Sequence, residues 1–382
     1  MLVGLNARLL TDPSLRGWNR YTINLAAALA DLGVKLILYT DRPVHESHLA
    51  RLRPGFFEER VAGEIPYFVW EQRWAPRQCG LDQIDVFHCP FHFGLPWSNA
   101  CPQVLTLHDA IDVAFKPRTL SRGEFWSRGA IQTRLHFWIA RNRADRVATV
   151  SEHAKLDLCR YLGVSSERIV VTPEAADPLF HRPVEALDRE RARTTHTLDR
   201  PYFFYVGGWE ERKNLPFLLQ AFAAAELPGV ELVFGGGKAT EREALVAQAR
   251  ELGIDDRLRL LGWIDERDLP AIYAGALAFV YPSVYEGFGL QLCEAMAVGV
   301  ATIASRATSL PEVLGSGGAT FGLEDPAELG GLLKKIAHDE SFRSDLACRA
   351  KTRSADFTWK KTAEKTLEIY EELVRTRGKR RR

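Results

Sequence analysis

Two glutamates, Glu286 and Glu294, stand eight positions apart in the segment YEGFGLQLCEA at residues 285–295. The residues between them are two glycines, an aromatic and a run apolar enough for a protein core. Leu277–Tyr281 reads as a buried strand closed by Pro282 and Ser283, and Leu290–Val298 reads as a helix. Gly287 and Gly289 permit tight turns or close backbone approach between the two. A glycine-rich loop that opens a helix presents free N–H groups and a positive dipole end, a setting that suits phosphate. Glu294 would sit on that helix with Leu290, Gln291, Ala297 and Val298 at i±3 and i±4. A carboxylate on so apolar a face costs free energy unless a hydrogen-bond partner meets it. Upstream, Arg212 and Lys213 lie in EERK. Arginine forks onto phosphate oxygens and lysine adds a point charge, although such a run also reads as a solvated face before a helix. His108 ends another strand pattern and fits either a core histidine or a ligand-facing one.

The elements that must position these residues follow a repeating pattern. Short apolar runs alternate with amphipathic stretches, the signature of βα units around a parallel sheet. Strands are expected at Leu2–Arg8, Val34–Thr40, Asp85–Cys89, Val104–His108, Arg146–Val150 and Arg168–Thr172. Helices are expected at Tyr21–Leu32, Leu120–Arg143 and Glu152–Leu162, with Gly33 and Gly163 as C-terminal stops. The charged, proline-bounded HRPVEALDRERARTTHTLDRP at residues 181–201 interrupts the pattern. Alternation restarts with Tyr202–Val206, Val230–Phe234, Leu258–Leu261, Leu277–Tyr281 and Val300–Ala304. The division expected is a first domain over 1–185, a linker over 186–200 and a second domain over 201–355. A last amphipathic helix, Phe357–Val374, would cross back to the first domain and end in a basic tail. The fold class is α/β, with two doubly wound, Rossmann-like domains facing a cleft.

Composition narrows the function classes. Lys+Arg 50 against Asp+Glu 49 leaves a net charge of +1 over 382 residues, so no bulk field points to nucleic acid. The basic RTRGKRRR at the C-terminus reads as a solvated tail or as a contact for acidic lipid headgroups. Six scattered cysteines without a CxxC pair fit a reducing compartment and argue against a zinc site. No apolar run approaches the ~18 residues of a membrane span. A cytoplasmic protein, peripheral to a membrane at most, is the expectation.

The segment YPSVYEGFGLQLCEAMAVGVATIAS resembles the E-x7-E signature of retaining glycosyltransferases of the family 4 (GT4) type, built on the GT-B fold. FYVGGWEERKNL, LRLLGWIDERDLPAIYAGA and SLPEVLG resemble further landmarks of that family's second domain, and VLTLHDAI, ATVSEHAKLDL and VVTPEAADPLF those of its first. The resemblance spans nearly the whole chain. It implies a hexosyltransferase that uses a nucleotide-diphosphate sugar, GDP-mannose first and UDP-linked sugars second. The acceptor implied is a hydroxyl of a glycan or lipid-linked molecule, with retained anomeric configuration and no metal cofactor. By position, Glu286 would contact the donor sugar, Arg212 and Lys213 would clamp the diphosphate, and Glu294 would bond the ribose. His108 would face the sugar, and Gly17, Ile264, Gly287, Phe288, Gly289 and Leu290 would complete the donor site.

Two positions depart from the family pattern. Asn19 replaces the second glycine of the loop SLRGWNRYTINL, where a left-handed backbone is expected to be tolerated. Gly208 stands where many relatives carry a phosphate-binding arginine. EQRW and FHCPFHFGLP are similar to a mannosyltransferase-like branch, and there Trp70, Trp74, Phe91 and His92 would line the acceptor side. The same aromatic loops also read as packing on a sheet edge. A dinucleotide oxidoreductase lacks its G-x-G-x-x-G after the first strand, and VFGGGKAT fails the P-loop spacing. A nucleotide-sugar epimerase of the same architecture and a non-catalytic nucleotide-sugar-binding protein remain as alternatives.

Overall fold

The computed structural model describes residues 1–13, 17–98, 100–115 and 128–380. Two compact units divide the chain: residues 1–174 together with 359–382, and residues 175–358.

The first unit is built on seven parallel strands: β1 (Leu2–Asn6), β2 (Lys35–Thr40), β3 (Phe57–Val61), β4 (Val86–Cys89), β5 (Gln103–Thr106), β6 (Arg146–Thr149) and β7 (Ile169–Val171). Their order is β3-β2-β1-β4-β5-β6-β7. The second unit carries β8 (Tyr202–Gly207), β9 (Glu231–Gly236), β10 (Leu258–Gly262), β11 (Ala278–Tyr281), β12 (Thr302–Ser305) and β13 (Ala319–Phe321), in the order β10-β9-β8-β11-β12-β13. Every pairing in both sheets is parallel. Central strands such as β4, β5, β11 and β12 are buried throughout, which is why they read as short continuous apolar runs. Strand order reverses between β1 and β4 and again between β8 and β11. Such switch points leave a crevice beyond the carboxyl ends of the strands, where doubly wound folds place ligands.

Three departures from the sequence reading have physical causes. Residues 186–200, expected as a linker, contain the helix Ala186–His196, which packs beside Leu269–Gly275 within the second unit. Only Ala192 of that helix is buried, so its sequence is charged enough to pass for a loop, and Arg191 fastens it to Asp268 at 2.8 Å. β3 was hidden because FEERV is an edge strand with three charged residues and no buried position. The last helix runs from Trp359 to Arg380, past Gly378, since a single glycine costs a helix only about 1 kcal/mol. It belongs to the first unit, where it packs on the helix Gly17–Asp31. The expected helix Leu120–Arg143 is described from Arg128 onward, and Leu120 itself lies outside the described residues.

Candidate functional site

In the second unit the loops after β8 and β11 meet at the switch point. Arg212 and Lys213 lie on a short turn of 3-10 helix, Glu211–Lys213, and Asn214 follows it in the left-handed conformation before the helix Leu215–Ala224. Glu286 follows β11. The turn is tied to that loop through the Val284 N–H, which donates to the Arg212 carbonyl at 2.8 Å. Both cations converge on one oxygen: Arg212 donates to Glu286 Oε1 at 2.8 Å and Lys213 Nζ donates to it at 2.7 Å. Lys213 Nζ also donates to the Tyr281 hydroxyl at 2.9 Å, which in turn donates to Gln291 Oε1 at 3.0 Å. The Lys213 side chain is 5% exposed and that of Glu286 10%, whereas Arg212 keeps 24%. Burial works against the Glu286 carboxylate, but Lys213 and Arg212 outweigh it and hold its pKa below the ordinary 4.5. Burial also pulls the Lys213 ammonium below 10.5 in spite of Glu286. Glu286 answers both cations through one oxygen, and the charge of Glu210 also reaches Lys213.

Beyond Glu286 the chain reaches Gly289, whose φ of +102° places it where glycine is favoured and from which the helix Leu290–Val298 starts. A Cβ here would come within 2.8 Å of Leu310 Cδ2, so the backbone also needs the space. The first turn of a helix leaves N–H groups without intrahelical acceptors, which makes this terminus a second source of positive potential. Ser309 holds the loop from below, its hydroxyl donating to the carbonyls of Glu286 and Phe288 at 3.0 and 3.2 Å. Glu294, 2% exposed, accepts a hydrogen bond from the Tyr273 hydroxyl at 3.2 Å. Its apolar helical neighbours are therefore answered by a protein donor from an adjacent helix. Gly287 and Phe288 are buried, Leu290 is half-buried, and Ile264 is buried against Gly235.

In the first unit His108 lies just beyond β5 and is 6% exposed. Its Nδ1 meets Glu174 Oε1 at 2.8 Å and its Nε2 meets the Pro90 carbonyl at 3.0 Å. Burial alone would lower its pKa, but the hydrogen bond and charge of Glu174 prevail and raise it above 6.5. Both ring nitrogens thus already have oxygen partners within the first unit. Tyr21 packs edge-on at 4.6 Å and Trp18 lies 4.9 Å from His92. Gly17, at φ +40°, is exposed and opens the first long helix. Residues 14–16 of the preceding loop lie outside the described residues.

Some expectations need correction. Asn19 is helical rather than left-handed, and its side-chain amide donates to the Leu9 carbonyl at 2.9 Å, fastening the helix start to the turn after β1. Trp70, Phe91 and His92 are 0%, 2% and 3% exposed and packed within the first unit, whereas Trp74 stays half-buried. Trp70 donates its indole N–H to the Thr40 carbonyl at 3.1 Å and stacks on half-buried Trp74 at 6.0 Å. His92 Nε2 accepts the His108 backbone N–H at 3.0 Å. Residues that the sequence did not single out are Tyr281, Gln291, Tyr273, Ser309 and Glu174.

Comparison with known proteins adds three findings. The family model for glycosyl transferases group 1 matches residues 188–353, and that for glycosyltransferase family 4 matches residues 15–178. The O-antigen chain mannosyltransferase B of Escherichia coli is 31% identical over 235 residues, 60% of this chain and 61% of that protein. The serotype-specific mannosyltransferase WbdA of Escherichia coli is 29% identical over 288 residues, 74% of this chain and 34% of that protein. The chain thus spans 61% and 34% of the length of these two relatives. HepE from Anabaena, solved in complex with UDP-glucose, superposes with a TM-score of 0.75 at 17% identity, covering 97% of this chain and 99% of that one.

Proposed function

The chain belongs to the glycosyltransferases of group 1 and family 4, and from that premise we propose that it moves a hexose from a nucleotide-diphosphate sugar to a hydroxyl of a glycan or lipid-linked acceptor. The observation that carries this reading is the buried Arg212–Lys213–Glu286 cluster beside the helix that starts after Gly289. Mannose is the sugar the similarity to two mannosyltransferases favours, and GDP-mannose the first donor to test.

The chemical task is to stabilise charge on the leaving diphosphate while the sugar becomes cationic. Fixed cations and oriented N–H groups aimed at developing charge are usually the largest contribution to such a rate. Arg212 and Lys213 supply the cations, and the helix after Gly289 supplies the N–H groups, with no metal required. Glu286 fixes both cations and turns its remaining oxygen to sugar hydroxyls, while Glu294 with Tyr273 reads the ribose. Transfer proceeds with retention. The anomeric carbon–phosphate oxygen bond breaks, the acceptor oxygen bonds to the same face, and the acceptor proton leaves on the phosphate.

A thermal-shift panel of GDP, UDP, ADP and their common sugars tests the site. A ligand that binds only the folded state raises the melting temperature by mass action. One base series stabilises the wild type, and Lys213→Ala and Glu294→Ala each weaken that binding about tenfold or more. Undiminished nucleotide affinity in both variants would refute the assignment.

A further inference from the structure

A cavity of about 720 Å³ opens within the first unit at the N-terminal ends of β5, β6 and β7. That edge of the sheet is opposite the loop carrying His108, and doubly wound folds keep their usual ligands at the other end. The volume suits a small organic ligand. Arg143, Arg146, Arg168 and Arg377 all border it, with Trp97 and Gln103. Against these four guanidiniums stand Asp145 in the wall and Glu372, which pairs with Arg146.

The arginines are held in place. Arg168 donates to the Arg141 carbonyl at 2.6 Å and to that of Ala144, Arg377 donates to the Ala100 carbonyl, and Arg143 lies 4.4 Å over the Trp97 ring. A guanidinium has about five N–H donors, so these bonds orient the forks without exhausting them. Trp97 stacks on Trp138 at 5.0 Å, and both rings are nearly half exposed, at 44% and 46%.

Gln103 supplies the independent observation. It is 5% exposed, its backbone N–H is fixed by Asp145 Oδ2 at 2.8 Å, and its side-chain Oε1 is buried with no hydrogen-bond partner among the described residues. Native buried polar atoms are almost always partnered. A guanidinium cluster calls for an oxyanion, and an orphaned amide oxygen beside it calls for a hydroxyl.

We propose that this cavity binds a phosphorylated polyol, with the phosphate on the arginines and a hydroxyl on Gln103. Glycerol 3-phosphate as a free molecule and the headgroup of phosphatidylglycerol share that chemistry. Titration calorimetry with glycerol 3-phosphate, inorganic phosphate and glycerol tests the soluble source. Flotation with phosphatidylcholine vesicles, with and without phosphatidylglycerol, tests the lipid source.

Glycerol 3-phosphate is expected to bind about tenfold more tightly than phosphate, and Gln103→Leu to abolish that preference. Arg143→Ala with Arg377→Ala should weaken binding at least about tenfold. A lipid-borne ligand would show as flotation that depends on phosphatidylglycerol and is lost in the same double variant. The melting temperature of each variant without ligand serves as the control for folding. Neither calorimetric binding nor such flotation in the wild type, or binding unchanged in the double variant, overturns the proposal.

Discussion

Glu286 is held by two cations on a single oxygen, and removing its charge has consequences for folding as well as for ligand binding. Glu286→Gln would leave Lys213, 4% exposed, without its hydrogen-bonded carboxylate, and breaking a buried pair from one side costs about 3–5 kcal/mol. The acid dependence has a definite sign. The folded-state pKa of Glu286 is depressed below the ordinary 4.5, so in that interval the unfolded chain binds more protons than the folded one. Its contribution to stability is therefore complete above 4.5 and lost as pH falls through the folded value. Urea unfolding across that range should show a shallower decline for Glu286→Gln than for the wild type. Parallel curves would mean that the carboxylate is not held as described. From sequence, Arg212, Lys213 and Glu286 were recognisable one at a time through residue chemistry and family resemblance. Their convergence was not, because 73 residues separate Lys213 from Glu286, and the pairing of β8 with β11 and the Val284–Arg212 backbone bond bring them together. Tyr281 and Tyr273 escaped notice because a tyrosine in an apolar run looks like core, and only its hydroxyl partner shows otherwise.

At the scale of elements, the loop between β11 and the helix Leu290–Val298 depends on one backbone conformation. Gly289 combines φ +102° with a site where Leu310 leaves no room for a Cβ. Gly289→Ala should cost about 1–3 kcal/mol through strain alone, and it should also displace the first turn of the helix and weaken nucleotide binding. Denaturant unfolding and nucleotide titration of the same variant check both, and unchanged values in each would show that the turn is tolerant. Buried strands and capped helices were legible because their signals are local: a continuous apolar run, or a glycine stop such as Gly163 at φ +64°. β3 and the helix Ala186–His196 were not, since both are largely solvated and are fixed by neighbours distant in sequence. Arg191 on Asp268 is such a contact, and no window around residue 191 contains it.

For the whole molecule, the chain's return to its first unit gives that unit a C-terminal side of its core. Tyr370 on the helix Trp359–Arg380 is fully buried, and its hydroxyl lies 2.5 Å from His88 Nδ1, while His88 Nε2 meets Thr106 at 2.8 Å. Burial, reinforced by the nearby positive charge of His108, pushes the His88 pKa down to about 3, so the ring is neutral and depends on these two partners. Thr362 adds a bond to the Pro173 carbonyl at 2.6 Å. Periodicity made the last helix recognisable, yet its attachment rests on contacts such as Tyr370 with His88 that span 282 positions. Tyr370→Ala removes both packing and hydrogen bond and should destabilise the first unit by about 3–5 kcal/mol. Tyr370→Phe keeps the ring, leaves one buried nitrogen of His88 without its partner and should cost about 1–3 kcal/mol. Each unit has its own sheet and core, so calorimetry should resolve the effect as a shift of one transition. The transition raised by nucleotide, which follows the Glu286 cluster, should stay where it was. If that transition falls equally in Tyr370→Ala, the two units unfold as one, and the stability of the proposed nucleotide site depends on the last helix.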